Sequence, residues 1–140
     1  MTEQEYPKLD LYRRIVQAKL FIDAHYAEGI DVGDIADEAC YSKFHFIRTF
    51  KGTYGKTPRQ YLISVRIEKA RELLGAGIPV TDVCLSVGFE SLGSFTTLFK
   101  RRIGLTPSAD QREKLSRRQR LDEAPLSFVP GCFAAFCTGR

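Results

Sequence analysis

The sequence predicts an all-α protein, a seven-helix, bundle-like domain made of two copies of one supersecondary unit joined by a long helix. Three observations carry this expectation. First, the chain repeats itself: Asp34-Ile35-Ala36 stands 48 residues before Asp82-Val83-Cys84, and Tyr41 before Phe89 at the same offset. The offset then becomes 49, pairing Phe46 with Phe95, Phe50-Lys51 with Phe99-Lys100, Gly55 with Gly104, and Thr57-Pro58 with Thr106-Pro107. A one-residue indel in a turn accounts for the change. Second, apolar residues recur at helical spacing, and no alternating stretch of strand length appears. Third, residues that start and stop helices stand at the boundaries of both copies.

Taken in order, Asp10 is a candidate cap for a first helix running to about Glu28, with Leu11, Ile15, Ala18 and Ile22 on one face. The first repeat opens with a short periodic stretch, Ile35-Ala36…Ala39, ending at Cys40-Tyr41-Ser42. Ser42 is a candidate N-cap for the next helix, where Phe46 and Phe50 lie four apart on one face. Pro58, preceded by the capping residue Thr57, starts a long helix to about Leu74, stopped by Gly75-Ala76-Gly77. The second repeat runs Val83…Val87 into Gly88-Phe89-Glu90-Ser91, then places Phe95 and Phe99 four apart again. Gly88 can take the left-handed conformation that ends a helix. A short helix, a tight turn and a longer helix make a helix-turn-helix. Thr106-Pro107 starts a last, basic helix through about Gln119. The expected organisation is an N-terminal arm at 1–9, a first helix-turn-helix unit at 10–57, a linker helix at 58–75, a second unit at 76–120 and an apolar tail at 121–140.

Composition narrows the function. The 140 residues are 44% apolar and 27% charged, enough to fold as one small domain, and no run of 18 apolar residues exists to cross a membrane. The first twenty residues lack a secretory layout, so a cytoplasmic protein is expected. Cys40, Cys84, Cys132 and Cys137 form no metal-ligand spacing, and no nucleophile or acid–base set appears, so neither a metal, a cofactor nor an enzyme is expected. Cys40 and Cys84 read as small apolar fillers, Cys132 and Cys137 as inert thiols. The net charge of +4 hides an alternation. Residues 41–75 carry eight bases against two acids and residues 100–120 carry the same ratio, whereas residues 1–40 carry four against nine. Two basic blocks separated by an acidic one suit nucleic acid better than a membrane, although solvated basic helices give the same pattern.

The run Arg66-Ile67-Glu68-Lys69-Ala70-Arg71-Glu72-Leu73-Leu74 resembles the linker helix of the AraC/XylS transcription regulators. Asp82-Val83…Val87-Gly88-Phe89-Glu90-Ser91…Phe95…Phe99-Lys100…Gly104…Thr106-Pro107 resembles that family's signature over its second helix-turn-helix. The likeness covers about residues 10–115, and the chain resembles the short stand-alone members, which consist of the DNA-binding domain. It departs at Cys40, where the family usually has Gly, at Thr97, where Arg is frequent, and at Asp110, where Tyr is usual.

The resemblance implies that the second helix of each unit enters a major groove of duplex DNA, making the chain a sequence-specific transcription regulator, of activator type. With Phe46 and Phe50 buried, Phe44, Ile47, Arg48 and Lys51 share another helical face. Arg48 is the leading base reader, because its fork suits guanine O6 and N7. Phe44 and Ile47 either touch thymine methyls or pack on a neighbouring helix, and His45 is a phosphate or base-edge contact. The second unit offers Leu92, Gly93, Ser94, Thr96 and Thr97 to the bases, with no bidentate fork among them. Ser42, Lys43, Lys51, Arg59, Ser91 and Lys100 are the phosphate candidates. The expected partners are double-stranded DNA and RNA polymerase, with no membrane; a monomer on DNA is favoured over a dimer formed through the tail. The competing reading is an interaction module of the same fold that recruits or blocks RNA polymerase or another regulator and binds DNA weakly. A ligand or redox signal acting through the tail stays open.

Overall fold

In a computed structural model, residues 5–31, 33, 35–36 and 42–124 are described. Among them lie six α-helices and no strand: α1 Glu5–His25, α2 Lys43–Tyr54, α3 Pro58–Gly75, α4 Val80–Ser86, α5 Leu92–Ile103 and α6 Pro107–Glu123. The seventh expected helix falls on a segment of which only Gly33, Ile35 and Ala36 are described, all three helical. The expectations for Cys40, Tyr41 and the apolar tail from Pro125, with Cys132 and Cys137, lie outside the described residues.

Helix α1 starts five residues before Asp10 and stops at His25, three short of Glu28. Pro7 is its third residue, a position where the missing N–H is one of the donors no helix can use. Asp10 is therefore inside the helix, where it accepts a hydrogen bond from Arg14 Nε at 2.9 Å rather than capping. The last helix also runs past Gln119, to Glu123.

Both repeats close the same way, and their caps match atom for atom. Ser42 Oγ accepts from the His45 N–H at 3.3 Å and Ser91 Oγ from the Ser94 N–H at 3.3 Å. At the other ends Gly55 and Gly104 take positive φ, and their N–H groups donate to Lys51 O and Lys100 O, each at 2.8 Å. Thr57 and Thr106 then cap α3 and α6, each followed by a proline in the first turn; Gln60 returns the bond to the Thr57 N–H.

Two cores result, one per unit. Ile15, Ala18, Ile22, Ile35, Ala36, Phe46, Phe50 and Leu62 form the first. Ile67, Ala70, Leu74, Val83, Cys84, Val87, Phe89, Phe95 and Phe99 form the second. Helix α3 is the spine between them, about 27 Å long at 1.5 Å per residue for its 18 residues. Its first half holds α1: Tyr61 Oη donates to Asp23 Oδ1 at 2.6 Å, while Lys19 Nζ bonds Asp23 Oδ2 at 3.0 Å. Its second half holds α6. There Arg71 meets the buried Asp110, Lys114 Nζ donates to Arg71 O at 2.9 Å, and Gln111 Nε2 bonds Leu74 O and Ile78 O.

Candidate nucleic-acid interface

Burying Phe46 and Phe50 on one side of α2 leaves the other side to solvent. Ser42, Lys43, Phe44, His45, Arg48 and Lys51 are all exposed there, Phe44 at 79%. Ile47 differs: it is half-buried and packs against the first core, so the neighbour-packing alternative describes most of its surface. Arg48 makes no hydrogen bond or ion pair among the described residues, which leaves its five donors available. Arg59, exposed in the first turn of α3, lies one turn beyond the Gly55 cap.

On α5 the buried pair is Phe95 and Phe99, and Ser91, Leu92, Gly93, Ser94, Thr97 and Lys100 are exposed. Thr96 is half-buried. Thr97 Oγ1 donates back to Gly93 O at 2.9 Å, so its proton is engaged within its own helix. A surface groove of about 560 Å³ gathers Thr96, Thr97 and Lys100 with Arg101 and Thr106. The sequence reading missed Arg101 and Thr106 as neighbours of this face. The signal was present for Arg101, which stands one turn after Thr97 on the helix, but not for Thr106, which lies beyond the Gly104 cap.

Neither α2 nor α5 has an acid in its first turn. Their positive N-terminal dipole ends, each with an exposed serine hydroxyl that still has a proton to donate, are suited to anionic oxygens. The basic blocks are not uniformly available, however. Arg66, Arg71 and Lys114 bond carbonyls or a buried carboxylate inside the fold. Arg101, Arg102, Arg112, Arg117, Arg118 and Arg120 remain exposed on α5 and α6. Among the described residues no group of three His, Cys, Asp or Glu side chains could hold a metal, and no helix is long and apolar enough to cross a membrane.

The comparisons with known proteins agree with this arrangement. A family model described as a helix-turn-helix domain matches residues 35–113. The chain is 37% identical over 82 residues to the probable transcription factor PqrA of Proteus vulgaris, covering 58% of this chain and 67% of that protein. Its structure is similar to the DNA-binding domain of the global transcriptional factor AdpA, solved in complex with a target DNA. There the TM-score is 0.72 at 29% identity, over 76% of this chain and 96% of that one. It is also similar to a probable AraC family transcriptional regulator of Rhodopseudomonas palustris, with a TM-score of 0.65 at 25% identity, over 73% of this chain and 97% of that one. The chain spans 25, 31 and 37% of the length of three other curated regulators it matches. With two identically capped helices, a linker spine and these relatives in view, the chain belongs to the AraC/XylS-type helix-turn-helix family of DNA-binding transcription regulators.

Proposed function

We propose that the protein is a sequence-specific regulator of transcription that inserts α2 and α5 into successive major-groove segments of one duplex. The observation that carries this is the repeated helix. Two helices of twelve residues, capped by the same bonds at both ends, each keep an exposed face beside an apolar one. In this reading the domain has seven helices, the short helix of the first unit matching α4 of the second. Arg48 is the principal base reader and Phe44 reaches thymine methyls, while Lys43, His45, Lys51, Arg59 and Ser42 serve bases or phosphates nearby. On the second unit Leu92, Gly93, Ser94, Thr96 and Thr97 lie close to the bases, and Ser91 and Lys100 hold phosphates. The engaged Thr97 hydroxyl supports a second unit that fits groove shape more than it reads base edges.

The protein works as an activator, as a monomer on DNA in the cytoplasm, with RNA polymerase as its protein partner. The exposed arginines of α6 are suited either to that partner or to flanking phosphates. Selection of bound duplexes from a random DNA pool, comparing wild type with Arg48→Ala, tests the reading. The expected result is an asymmetric motif of about two turns of duplex, roughly 20 base pairs, with one block lost in the variant. A palindrome would overturn the monomer, and no enrichment would overturn sequence-specific binding.

A further inference from the structure

Where α1 ends, three parts of the molecule meet. Arg66, in the middle of α3, donates from Nε to Tyr26 O at 2.6 Å and from Nη2 to Glu28 O at 2.9 Å. Its guanidinium also stands over the Phe89 ring, 5.7 Å from the centroid. Phe89 lies in the turn of the second unit, packed at 5.2 Å between centroids on Phe95 of α5. Tyr26 packs against both cores. Gly88, one residue before Phe89, lies against the same segment: a Cβ there would stand 3.0 Å from Tyr26 O and from Ala27 O. Partial burial of the guanidinium lowers the Arg66 pKa from its ordinary value.

The consequences follow from the chemistry of the group. A guanidinium is planar and rigid, so two carbonyls on one edge and a ring under its face fix it in position and orientation. Tyr26 and Glu28 belong to the segment leaving α1, which packs in the first unit; Phe89 belongs to the second. A single side chain on the spine therefore ties the first unit's framework to the turn from which α5 departs. Removing it leaves α3 intact, since Arg66 makes its contacts outside that helix.

We propose that Arg66 is a positioning residue for DNA recognition. By locking the α1 exit, the spine and the Phe89 turn together, it fixes the separation and angle of α2 and α5, and hence the number of base pairs between the two blocks of a site. This rests on the two-block reading above. One inserted base pair displaces a block by about 3.4 Å and rotates it by about a tenth of a turn. A rigid pair of units cannot follow that shift, whereas a loosened pair can.

The test uses the full chain as wild type, Arg66→Ala and Arg66→Gln, the last keeping the stem and one donor for Tyr26 O. Each is titrated against the selected duplex and against duplexes with one base pair inserted or removed between blocks, and helicity is checked by circular dichroism. Wild type is expected to lose on the order of tenfold to a hundredfold in affinity on insertion, the scale of a mismatched base pair or two. In the variants that penalty is expected to shrink to about threefold or less, with the order of base preference inside each block unchanged. If Arg66→Ala fails to fold, Arg66→Gln carries the measurement. Folded variants with the wild-type spacing penalty would overturn the proposal while leaving two-block recognition standing. A wild type indifferent to spacing would overturn the rigid coupling of the two units and the positioning role with it, and a selected site holding only one block would overturn the two-block reading itself.

Discussion

Asp110, only 2% exposed, faces Arg71 across the seam between α6 and α3, with Arg71 Nη2 3.2 Å from Oδ1 and Nε 3.4 Å from Oδ2. Lys114 Nζ approaches the same carboxylate at 3.6 Å. The carboxylate sits in the first turn of α6, where the helix dipole also favours a negative charge. The two sides of this pair are unequal, because Arg71 and Lys114 reach solvent and Asp110 does not. Arg71→Ala strands a buried carboxylate with Lys114 as its remaining ion partner, and should lower stability by about 2–4 kcal/mol. Asp110→Ala leaves cations that can turn to water and should lower it by about 1–2 kcal/mol. Denaturant titration of both variants gives the order, and the reverse order would show that Asp110 serves packing rather than charge.

Gly88 and Gly104 both take positive φ, at 93° and 90°, but in different surroundings. A methyl group on Gly104 meets nothing within 4 Å, so Gly104→Ala should lose only the left-handed strain, about 1–2 kcal/mol. One on Gly88 meets two carbonyl oxygens at 3.0 Å, which belong to backbone and cannot swing away. Gly88→Ala should therefore cost about 2–4 kcal/mol, and more than Gly104→Ala. Thermal unfolding of the two single variants decides this.

Three groups predict the alkaline behaviour. Burial raises the pKa of the Cys84 thiol from its ordinary 9.0, and burial, then the hydrogen bond to Asp23, raises that of Tyr61 from 10.0. The hydrogen bonds to Asp23 and Tyr61 raise Lys19 from 10.5. In each case the folded chain keeps its proton to higher pH than the unfolded chain, so unfolding releases protons and stability falls as pH rises. The melting temperature should begin to fall above about pH 9, through Cys84 first. In Cys84→Ala the onset should move toward pH 10, and an unmoved onset would remove the thiol from this account.

Arg48→Ala should weaken binding to a matched duplex by about 1–3 kcal/mol and relax one position of the motif. Thr97→Ala should cost less than 1 kcal/mol, because the hydroxyl proton already bonds Gly93 O. Lys51→Ala should weaken all sequences about equally and reduce the salt slope by roughly one counterion. Binding titrations at several salt concentrations separate the three outcomes.

The repeat made much of this architecture legible. Because Phe46/Phe95, Gly55/Gly104 and Thr57-Pro58/Thr106-Pro107 are local signals, the ends of α2 and α5 and the starts of α3 and α6 could be placed from adjacent residues. Asp10 misled for a related reason: a residue type that caps helices can also sit inside one, here accepting from Arg14, and residue type alone does not tell the two apart. What stayed hidden was long-range. Arg66 and Arg71 read as members of a basic block, yet their partners lie 38 to 40 residues away, where no periodicity points. Asp110 stood out as an unusual residue, but its reason is an arginine on another helix. Ile47 was ambiguous for want of its neighbours, and Thr106 entered the α5 groove only once the chain had turned at Gly104.

Tyr26 touches the cores of both units, with Arg66 bonded to its carbonyl. A side chain shared in this way cannot lose one set of neighbours without exposing the other, so its burial is a common asset of the two halves. Melting of either half then withdraws support from its twin, and the domain should unfold as one cooperative foldon rather than as two beads on a rod. The repeat that looks modular in sequence is, thermodynamically, a single object.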